Sequence, residues 1–294
     1  MKRTLRHTIG GKRFVFPPWD LLRGRDVFWD SILLTSELED SMLQHWAPNC
    51  GTFSRARERL IPGAVFSPPP LRSDEFPRGI PEVIVSLPAP KRRKLELDTE
   101  MADMAASECL KTHLSGRYFS LENPKNSIAR ELDTWKALEG AEGVFSTEYH
   151  ACMFEGSRRR KAQVLIHNYP PLERVGKLCD RSGLCSRTGK PHLSWRPRVV
   201  GGRVTSFATS EEREYPAGFC DCYASALEDL PEGPFVEIFS GKNALVSASL
   251  AKAWEVSLPK ADKSLVDEKG EVVEFSETQR GKSVEPVRNG TLCE

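Results

Sequence analysis

The sequence lacks long hydrophobic segments and has no excess of either charge. No apolar run approaches the roughly 20 residues that a membrane-spanning helix needs, and no apolar stretch follows the basic start at Met1 that could serve as a secretory signal. Lys and Arg total 42 against 41 acidic residues, so the net charge of +1 gives no overall attraction to nucleic acid or lipid. We therefore expect an intracellular protein with no membrane partner, whose charged contacts come from local clusters.

Cysteine is also too sparse for a disulfide scaffold. Eight cysteines are spread over 294 residues, and an intracellular chain keeps them as thiols. Thiolate and imidazole are the ligands that zinc prefers, and one stretch offers five such residues: Cys179, Cys185, His192, Cys220 and Cys222. Their spacing contains no Cys-x-x-Cys pair, so packing cysteines are favoured and no metal ligand is assigned. A zinc-stabilised interaction module over residues 179–222 stays open as an alternative.

Short apolar segments alternate with amphipathic ones along much of the chain. The pattern predicts strands at residues 43–47, 117–121, 143–152, 163–166 and 235–239, and helices at 94–114, 128–138 and 244–254, with a further helix after Pro216. Recurrent prolines predict an extended loop over residues 61–90. Such alternation indicates an α/β protein with a Rossmann-like, mostly parallel sheet and helices on both faces.

The composition divides the chain into three parts. Residues 1–170 form the predicted α/β core, and residues 171–230 form a small, irregular subdomain or insertion rich in Cys and Arg. Residues 231–294 contain a strand, a glycine turn and a helix that would complete the sheet, followed by a polar tail. No internal repeat is found.

Reactive or polar residues follow three of the predicted strands. Cys50 comes after the first, Glu122 ends the second, and Ser240-Gly241 follows the last. In an open α/β sheet the carboxyl ends of parallel strands meet at one crevice, where ligands bind. We therefore expect these three positions to lie in one cleft.

Together these segments resemble the cytosine-carbon-5 methyltransferase family. The resemblance covers about half of the chain and is strongest in the order of its motifs: Pro48-Asn49-Cys50-Gly51-Thr52-Phe53-Ser54 for the Pro-Cys loop, Glu122-Asn123-Pro124 for Glu-Asn-Val, Gly156 to Lys161 for the basic Gln-x-Arg-x-Arg segment, and Phe239-Ser240-Gly241 for the cofactor turn. The same segments also look like methyltransferase-like proteins carried by mobile elements.

The resemblance implies a nucleophile, an acid and a cofactor. Cys50 would attack carbon 6 of cytosine as a thiolate, with Arg55 and Arg57 providing an electropositive surrounding. Glu122 would donate a proton to ring nitrogen 3 or share one with it, and Arg160 or Lys161 would steady the loop or a phosphate. S-adenosylmethionine would be held by Phe239, Ser240, Gly241 and Asn243, and by an acidic residue about 20 positions further on, with Asp262 and Glu255 as candidates.

Nucleic acid is the partner that the resemblance implies, with DNA favoured over RNA. Four basic residues are candidates for phosphate contacts: Arg55, Arg57, Arg158 and Lys161. A base inside a duplex must be flipped out for this chemistry, and the proline-rich loop after Cys50 is a candidate mobile element. Pro90-Lys-Arg-Arg-Lys-Leu is similar to a basic nuclear-import patch, which favours the nucleus over the cytoplasm; a solvated first helical turn is the alternative.

Two departures from the family pattern leave a second function open. Asn49 stands between Pro48 and Cys50, and Lys242 follows Gly241 where the family has a second glycine. A catalytically inactive nucleic-acid-binding protein of a mobile element is therefore the alternative. The cofactor turn also follows the cysteine loop instead of preceding it, which either a circular permutation or a fragment of a longer tandem protein would explain.

Overall fold

The computed structural model describes residues 14–15, 38–65, 67, 69–180, 183–206, 208, 214–231, 233–238 and 246. Most of the helix predicted over 244–254 and all of the polar tail lie outside the described residues. No helix within the described ranges is long and apolar enough to cross a membrane.

One sheet contains six strands, with the bounds β1 Phe14–Val15, β2 Leu43–Trp46, β3 Tyr118–Pro124, β4 Phe145–His150, β5 Ala162–His167 and β8 Pro234–Ile238. Their order across the sheet is β1-β8-β2-β3-β5-β4. Neighbours from β1 to β3 pair in parallel, whereas β5 runs antiparallel to both β3 and β4. The expected α/β class and mostly parallel sheet are thus confirmed.

Alternation along the strands divides the core between the two faces of the sheet. Successive side chains of a strand point to opposite faces, so Trp46 and Leu121 join one apolar cluster while Leu43 and Phe235 join the other. Helices cover both faces. Because the central strands are buried on both sides, they contain few charged residues, and those that occur are placed at the strand ends.

Helices α1 Pro81–Ser86, α2 Ala89–Leu114 and α3 Asp133–Glu139 follow the cysteine loop in the chain. Small residues of α2, such as Ala105 and Cys109, let it pack closely against the face that contains Trp46. The prediction of an extended loop through residue 90 is wrong at this point. Proline has no N–H group, but the first helical turn does not use one. Pro81 is therefore the first residue of α1, and Pro90 is the second residue of α2.

The helix predicted over residues 128–138 is divided in two. A 3-10 turn spans Ile128–Glu131, and α3 starts at Asp133. Between them Leu132 has extended backbone angles and is 1% exposed. Burial of this side chain in the core therefore interrupts a helical pattern that the sequence shows as continuous.

The opposite face of the sheet is covered by α4 Ala217–Ala226, which follows Pro216 as predicted. Phe219 and Tyr223 of this helix are fully buried and pack with Leu43 and Phe235 of the sheet. The described part of the segment before α4 is irregular apart from a hairpin of β6 Arg198–Val200 and β7 Arg203–Ser206. Gly201 and Gly202 both have positive φ, as a tight two-residue hairpin turn requires.

Candidate functional site

The loop containing Cys50 and the end of the strand containing Glu122 lie side by side. Strand β2 pairs in parallel with β3, so the segments that follow the two strands leave the sheet at the same edge, where the parallel strands have their carboxyl ends. Asn123 Nδ2 donates a hydrogen bond to the Pro48 carbonyl oxygen at 3.3 Å. On the other side, the Ala47 N–H group donates to the Ile238 carbonyl at 3.1 Å, so the end of β8 reaches the same edge.

A buried carboxylate holds the cysteine loop in place. Asp98 of α2 is 1% exposed and accepts hydrogen bonds from Asn49 Nδ2 at 3.1 Å and Thr52 Oγ1 at 2.8 Å. Lys94, one helical turn earlier, lies 3.1 Å from the same carboxylate. Asn49, which separates the cysteine from its proline, therefore anchors the loop. Asp98 is the one acidic residue on the buried, mostly apolar face of α2. This departure from the helical pattern is the sequence signal that could have identified it.

Arg72 braces the same loop from the proline-rich segment. Its guanidinium group donates to Thr52 Oγ1 at 3.0 Å and to the Leu95 carbonyl at 2.8 Å, and it lies 3.8 Å from the centre of the Phe53 ring. Burial lowers the pKa of Arg72 to about 10, although the charge of Asp98 opposes this. The side chain therefore stays cationic at neutral pH and joins the loop to α2.

Glu122 is 8% exposed and precedes Asn123, whose side chain binds the start of the cysteine loop, so the two segments define the candidate cleft. Gln163 Nε2 donates to one carboxyl oxygen, and the hydroxyl group of Tyr215 donates to the other at 3.2 Å. Burial raises the pKa of Glu122, whereas the charge of Lys161 and the Tyr215 hydrogen bond lower it by less. The group therefore holds its proton to a higher pH than an ordinary glutamate, as a general acid must.

Cys50 is half-buried, and its thiol interacts with the same charges. Burial raises its pKa, Lys161 lowers it, and Glu122 and Asp98 raise it further. Arg55 does not supply the expected positive charge, because it pairs with Asp74 and with Glu58. The side chain of Arg57 lies outside the described residues. Among the described side chains, Lys161 is the cation whose charge lowers the pKa of this thiol.

A chain of buried hydrogen bonds extends from Glu122 beneath the cleft. Tyr215 Oη lies 3.0 Å from His45 Nε2, and His45 Nδ1 lies 2.7 Å from Ser120 Oγ, which in turn lies 2.7 Å from Tyr223 Oη. Burial lowers the pKa of His45 to about 3, so its ring is neutral. None of these residues was predicted, because they come from β2, β3 and α4, and the sequence does not reveal that they meet.

The two basic residues before β5 point in different directions. Backbone alternation puts Lys161 on the same side as Gln163, toward Cys50 and Glu122. Arg160 instead points its Nε toward His150 Nδ1 at 3.5 Å. The structure thus separates Arg160 from the cysteine and carboxyl pair and puts Lys161 beside them.

Arg158 lies apart from this cleft, on an open pocket of about 310 Å³. The pocket combines two cationic side chains with two hydroxyl groups, and its lining residues are Ser157, Arg158, Cys185, Thr188, Lys190 and Pro191. Such groups are suited to a phosphate. Lys190 was not among the predicted basic candidates.

Three cysteines and a histidine gather at the side of this pocket. The ligand atoms of Cys152, Cys179, Cys185 and His192 all lie within 4.8 Å of one another. Cys152, just after the end of β4, is the third cysteine of this cluster. The sequence had instead suggested Cys220 and Cys222 as possible zinc ligands. Cys220 packs in the apolar cluster of α4, and the Cys222 thiol donates to the Arg174 carbonyl oxygen.

The four groups differ in how readily they ionise. Burial and the neighbouring Cys179 thiol raise the pKa of Cys152 to about 12. Burial also opposes ionisation of Cys185, but hydrogen bonds from Thr188, Arg187 and His192 outweigh it and lower its pKa to about 6. Every cysteine that the structure describes is a free thiol.

The residues predicted to hold the cofactor lie outside the described residues, namely Phe239, Ser240, Gly241, Asn243 and Asp262. The strand that leads to them, β8, is described as far as Ile238. It lies next to β2, and its last described residue, Ile238, pairs with Trp46.

Comparison with known proteins identifies no relative. The chain matches no protein-family model, no curated protein and no solved structure.

Proposed function

We propose that this chain is an S-adenosylmethionine-dependent methyltransferase-like protein that acts on cytosine in nucleic acid, DNA in preference to RNA. One observation supports this most directly. A thiol, a raised-pKa carboxyl group and an ammonium group, from Cys50, Glu122 and Lys161, interact at the edge where two parallel strands end. These are the nucleophile, the proton donor and the cation that attack on a cytosine ring requires.

We propose a circularly permuted, Rossmann-like sheet, because a strand from late in the sequence lies beside the strand that leads to the cysteine loop. Strand β8 comes from the far end of the sequence yet lies between β1 and β2. Across the sheet, β8 lies next to β2 and β2 lies next to β3, so the end of β8 at Ile238, the cysteine loop and Glu122 come from adjacent strands.

In the proposed reaction Cys50 loses its proton to solvent and its thiolate forms a bond to carbon 6 of the ring. Glu122 donates its proton to nitrogen 3 as electron density moves into the ring, and carbon 5 becomes nucleophilic. When bound, S-adenosylmethionine supplies an electrophilic methyl group, and the end of β8 beside Ala47 leads to the residues predicted to hold it. Solvent then takes the carbon 5 proton, the electron pair of that bond forms the carbon 5–carbon 6 double bond, Cys50 leaves as a thiolate, and nitrogen 3 returns its proton to Glu122.

Gln163 suits the exocyclic amino group of cytosine. Its Oε1 atom is buried and has no hydrogen-bond partner among the described residues, while its Nε2 atom binds Glu122. Cytosine presents an acceptor at nitrogen 3 next to a donor at its amino group. A protonated Glu122 beside this Gln163 oxygen offers the complementary pair, which uracil or thymine would not match.

The buried hydrogen-bond chain allows Glu122 to release and recover its proton. When Glu122 is ionised, Tyr215 donates to it and the neutral His45 ring donates to Tyr215. When Glu122 is protonated, each hydroxyl group can rotate and His45 can adopt its other neutral tautomer, so that every donor reverses direction. No charge needs to enter the interior in either state, since the pKa of His45 is about 3.

Covalent trapping on a 5-fluorocytosine duplex tests the proposal. Fluorine at carbon 5 cannot leave as a cation, so a turnover that uses Cys50 stops at the protein–DNA adduct. With S-adenosylmethionine present, the wild-type chain and the Cys222→Ala control should form the adduct, and Cys50→Ala should form none. Glu122→Gln should slow adduct formation by about 100-fold or more. An adduct that survives the loss of Cys50, or none on duplex DNA or RNA, would contradict the proposal.

The alternative is an inactive nucleic-acid-binding protein, which the pocket containing Arg158 and Lys190 favours. Calorimetry separates the two functions. Binding of S-adenosylmethionine is expected for the methyltransferase, whereas an inactive protein would bind DNA but not the cofactor.

Nuclear localisation is proposed from the basic patch that opens α2. The four side chains from Lys91 to Lys94 are exposed, as recognition by an import receptor requires. Three of them also make local contacts: Arg92 donates to the Val85 and Leu87 carbonyl oxygens, Arg93 pairs with Glu96 and Glu100, and Lys94 pairs with Asp98. Imaging of a tagged chain, with Lys91→Ala and Arg92→Ala as the variant, tests the import function.

A further inference from the structure

We propose that Cys152, Cys179, Cys185 and His192 form a tetrahedral site for one structural zinc ion, which fastens the Cys/Arg-rich segment to the end of strand β4. This site is independent of the methyltransferase proposal, because it lies at the end of β4 and shares no residue with the cleft of Cys50 and Glu122.

The spacing of the ligand atoms fits zinc. Zinc binds sulfur at about 2.3 Å and nitrogen at about 2.0 Å, so two tetrahedral ligands lie about 3.6 Å apart. Cys179 Sγ and His192 Nε2 are 3.5 Å apart, and all four ligand atoms fall within 4.8 Å of one another. The four side chains need only small adjustments to surround a single ion.

The chemistry of the four groups also suits a structural ion. Three thiolates and one imidazole form a closed Cys3His set, which is typical of structural sites and leaves no position open for a substrate. Cys152, Cys179 and Cys185 are at most 4% exposed, so the ion would be shielded from water. A single disulfide among these thiols would leave the third cysteine unpaired, whereas zinc uses all of them.

Neighbouring groups hold the sulfur atoms in position. The Ser186 N–H group and hydroxyl group lie 3.4 Å and 3.5 Å from Cys179 Sγ, and the Cys185 thiol donates to the Cys152 carbonyl oxygen at 3.5 Å. Arg187 Nε donates to the Cys152 carbonyl oxygen at 2.9 Å. Such contacts around metal ligands orient them and favour the thiolate form.

The fold around the site has little else to stabilise it. The described residues between 177 and 197 contain no helix or strand, and their buried apolar side chains are the two cysteine ligands themselves. A hydrogen bond from the Cys185 N–H group to the Lys190 carbonyl at 2.8 Å closes a tight loop between the third and fourth ligands. The ion would therefore fix the loop that supplies Lys190 to the pocket beside Arg158.

Metal analysis of the purified, reduced full chain tests the proposal. We expect about one zinc ion per chain in the wild type. Cys152→Ser, Cys179→Ser and Cys185→Ser should each lose most of it. Cys222→Ser is the matched control, since this thiol binds the Arg174 carbonyl away from the site, and it should retain the ion.

Cobalt replacement provides a second measurement that needs no variant to fold. Titration of the metal-free wild type with Co²⁺ should give an intense thiolate-to-metal charge-transfer band that saturates at one equivalent and disappears on addition of zinc. Limited proteolysis should then cut residues 180–197 much faster in the metal-free chain. A reduced chain that neither retains zinc nor produces this band, or a Cys179→Ser/Cys185→Ser variant that retains zinc, would overturn the proposal.

Discussion

The hydroxyl group of Tyr215 donates a hydrogen bond to Glu122 Oε2 at 3.2 Å, although 93 positions separate the two residues in the chain. Tyr215 lies just before α4, and Glu122 lies in β3. This bond therefore joins the helix layer on one face of the sheet to the carboxyl group in the cleft. It also limits how far burial can raise the pKa of Glu122.

Glu122→Gln is expected to increase stability at neutral and higher pH. Burial raises the pKa of this group above its ordinary value of 4.5, so the folded chain binds the proton more tightly than the unfolded chain. The stabilisation that the protonated Glu122 contributes is fully present below pH 4.5 and is lost as pH rises through the pKa of the folded state. In thermal melts between about pH 4 and pH 8, the variant and the wild type should have the same melting temperature at the acidic end. At the basic end the variant should have the higher melting temperature. Equal melting temperatures at both ends would rule out the raised pKa.

The reactivity of Cys50 should depend on Lys161 and not on Arg55. Lys161 lowers the pKa of this thiol, so Lys161→Met should move the pH profile of alkylation by iodoacetamide to higher pH. Glu122→Gln should move it to lower pH, because a nearby negative charge is removed. Arg55→Ala, which removes a surface pair with Asp74, serves as the control and should leave the profile unchanged. Mass spectrometry of the Cys50 peptide measures each rate.

Arg72→Met should destabilise the chain by about 3 kcal/mol, because it leaves several buried acceptor groups without their donor and removes a positive charge near Asp98. The substitution also removes the hydrogen bonds from the guanidinium group to Thr52 and Leu95. Arg78→Ala is the matched control: its pair with Asp103 is at the surface, with Arg78 61% exposed, and should contribute less than about 1 kcal/mol. Chemical denaturation of both variants makes the comparison, and equal decreases in stability would contradict the bracing role of Arg72.

Trp135→Ala should cost about 3 to 5 kcal/mol of unfolding free energy. Its side chain is fully buried in the cluster between α2 and the sheet, and its Nε1 donates to the Ala102 carbonyl at 3.0 Å. Leu60→Ala is the control, since Leu60 is 87% exposed and its truncation should change stability by less than about 0.5 kcal/mol. Denaturant titrations measure both variants. If the slope of unfolding free energy against denaturant concentration equals that of the wild type, the loss of stability arises in the folded state.

Arg158→Ala and Lys190→Ala should weaken DNA binding without a change in sequence preference. Both line the pocket beside the cysteine cluster. If each side chain binds one phosphate, each substitution should reduce the slope of log affinity against log salt concentration by about 1. Lys91→Ala, on the exposed start of α2, is the control and should leave the slope unchanged. Fluorescence anisotropy at several salt concentrations measures the slopes, and an unchanged slope for both pocket variants would exclude phosphate binding there.

The strands and the long helix could be predicted because each depends on local periodicity. Residues 43–47, 117–121 and 163–166 were predicted as strands, and each coincides with a described strand. The break at Leu132 could not be predicted, because burial of that side chain against α2 and the sheet decides it. The early helix starts at Pro81 and Pro90 were missed because proline is compatible with both a loop and a first helical turn.

The amino-acid sequence alone determined the α/β class, the positions of the central strands and the placement of Cys50 just after β2, because periodicity and turn residues act over short distances; β3 continues past Glu122 to Pro124, which the sequence did not predict. Only the tertiary structure decided which residues meet. It brought Lys161 instead of Arg55 to the thiol, Tyr215 to Glu122, and Cys152 to Cys179, Cys185 and His192. Those contacts depend on strand order and on loops that return to the sheet, and neither is encoded in the spacing of neighbouring residues.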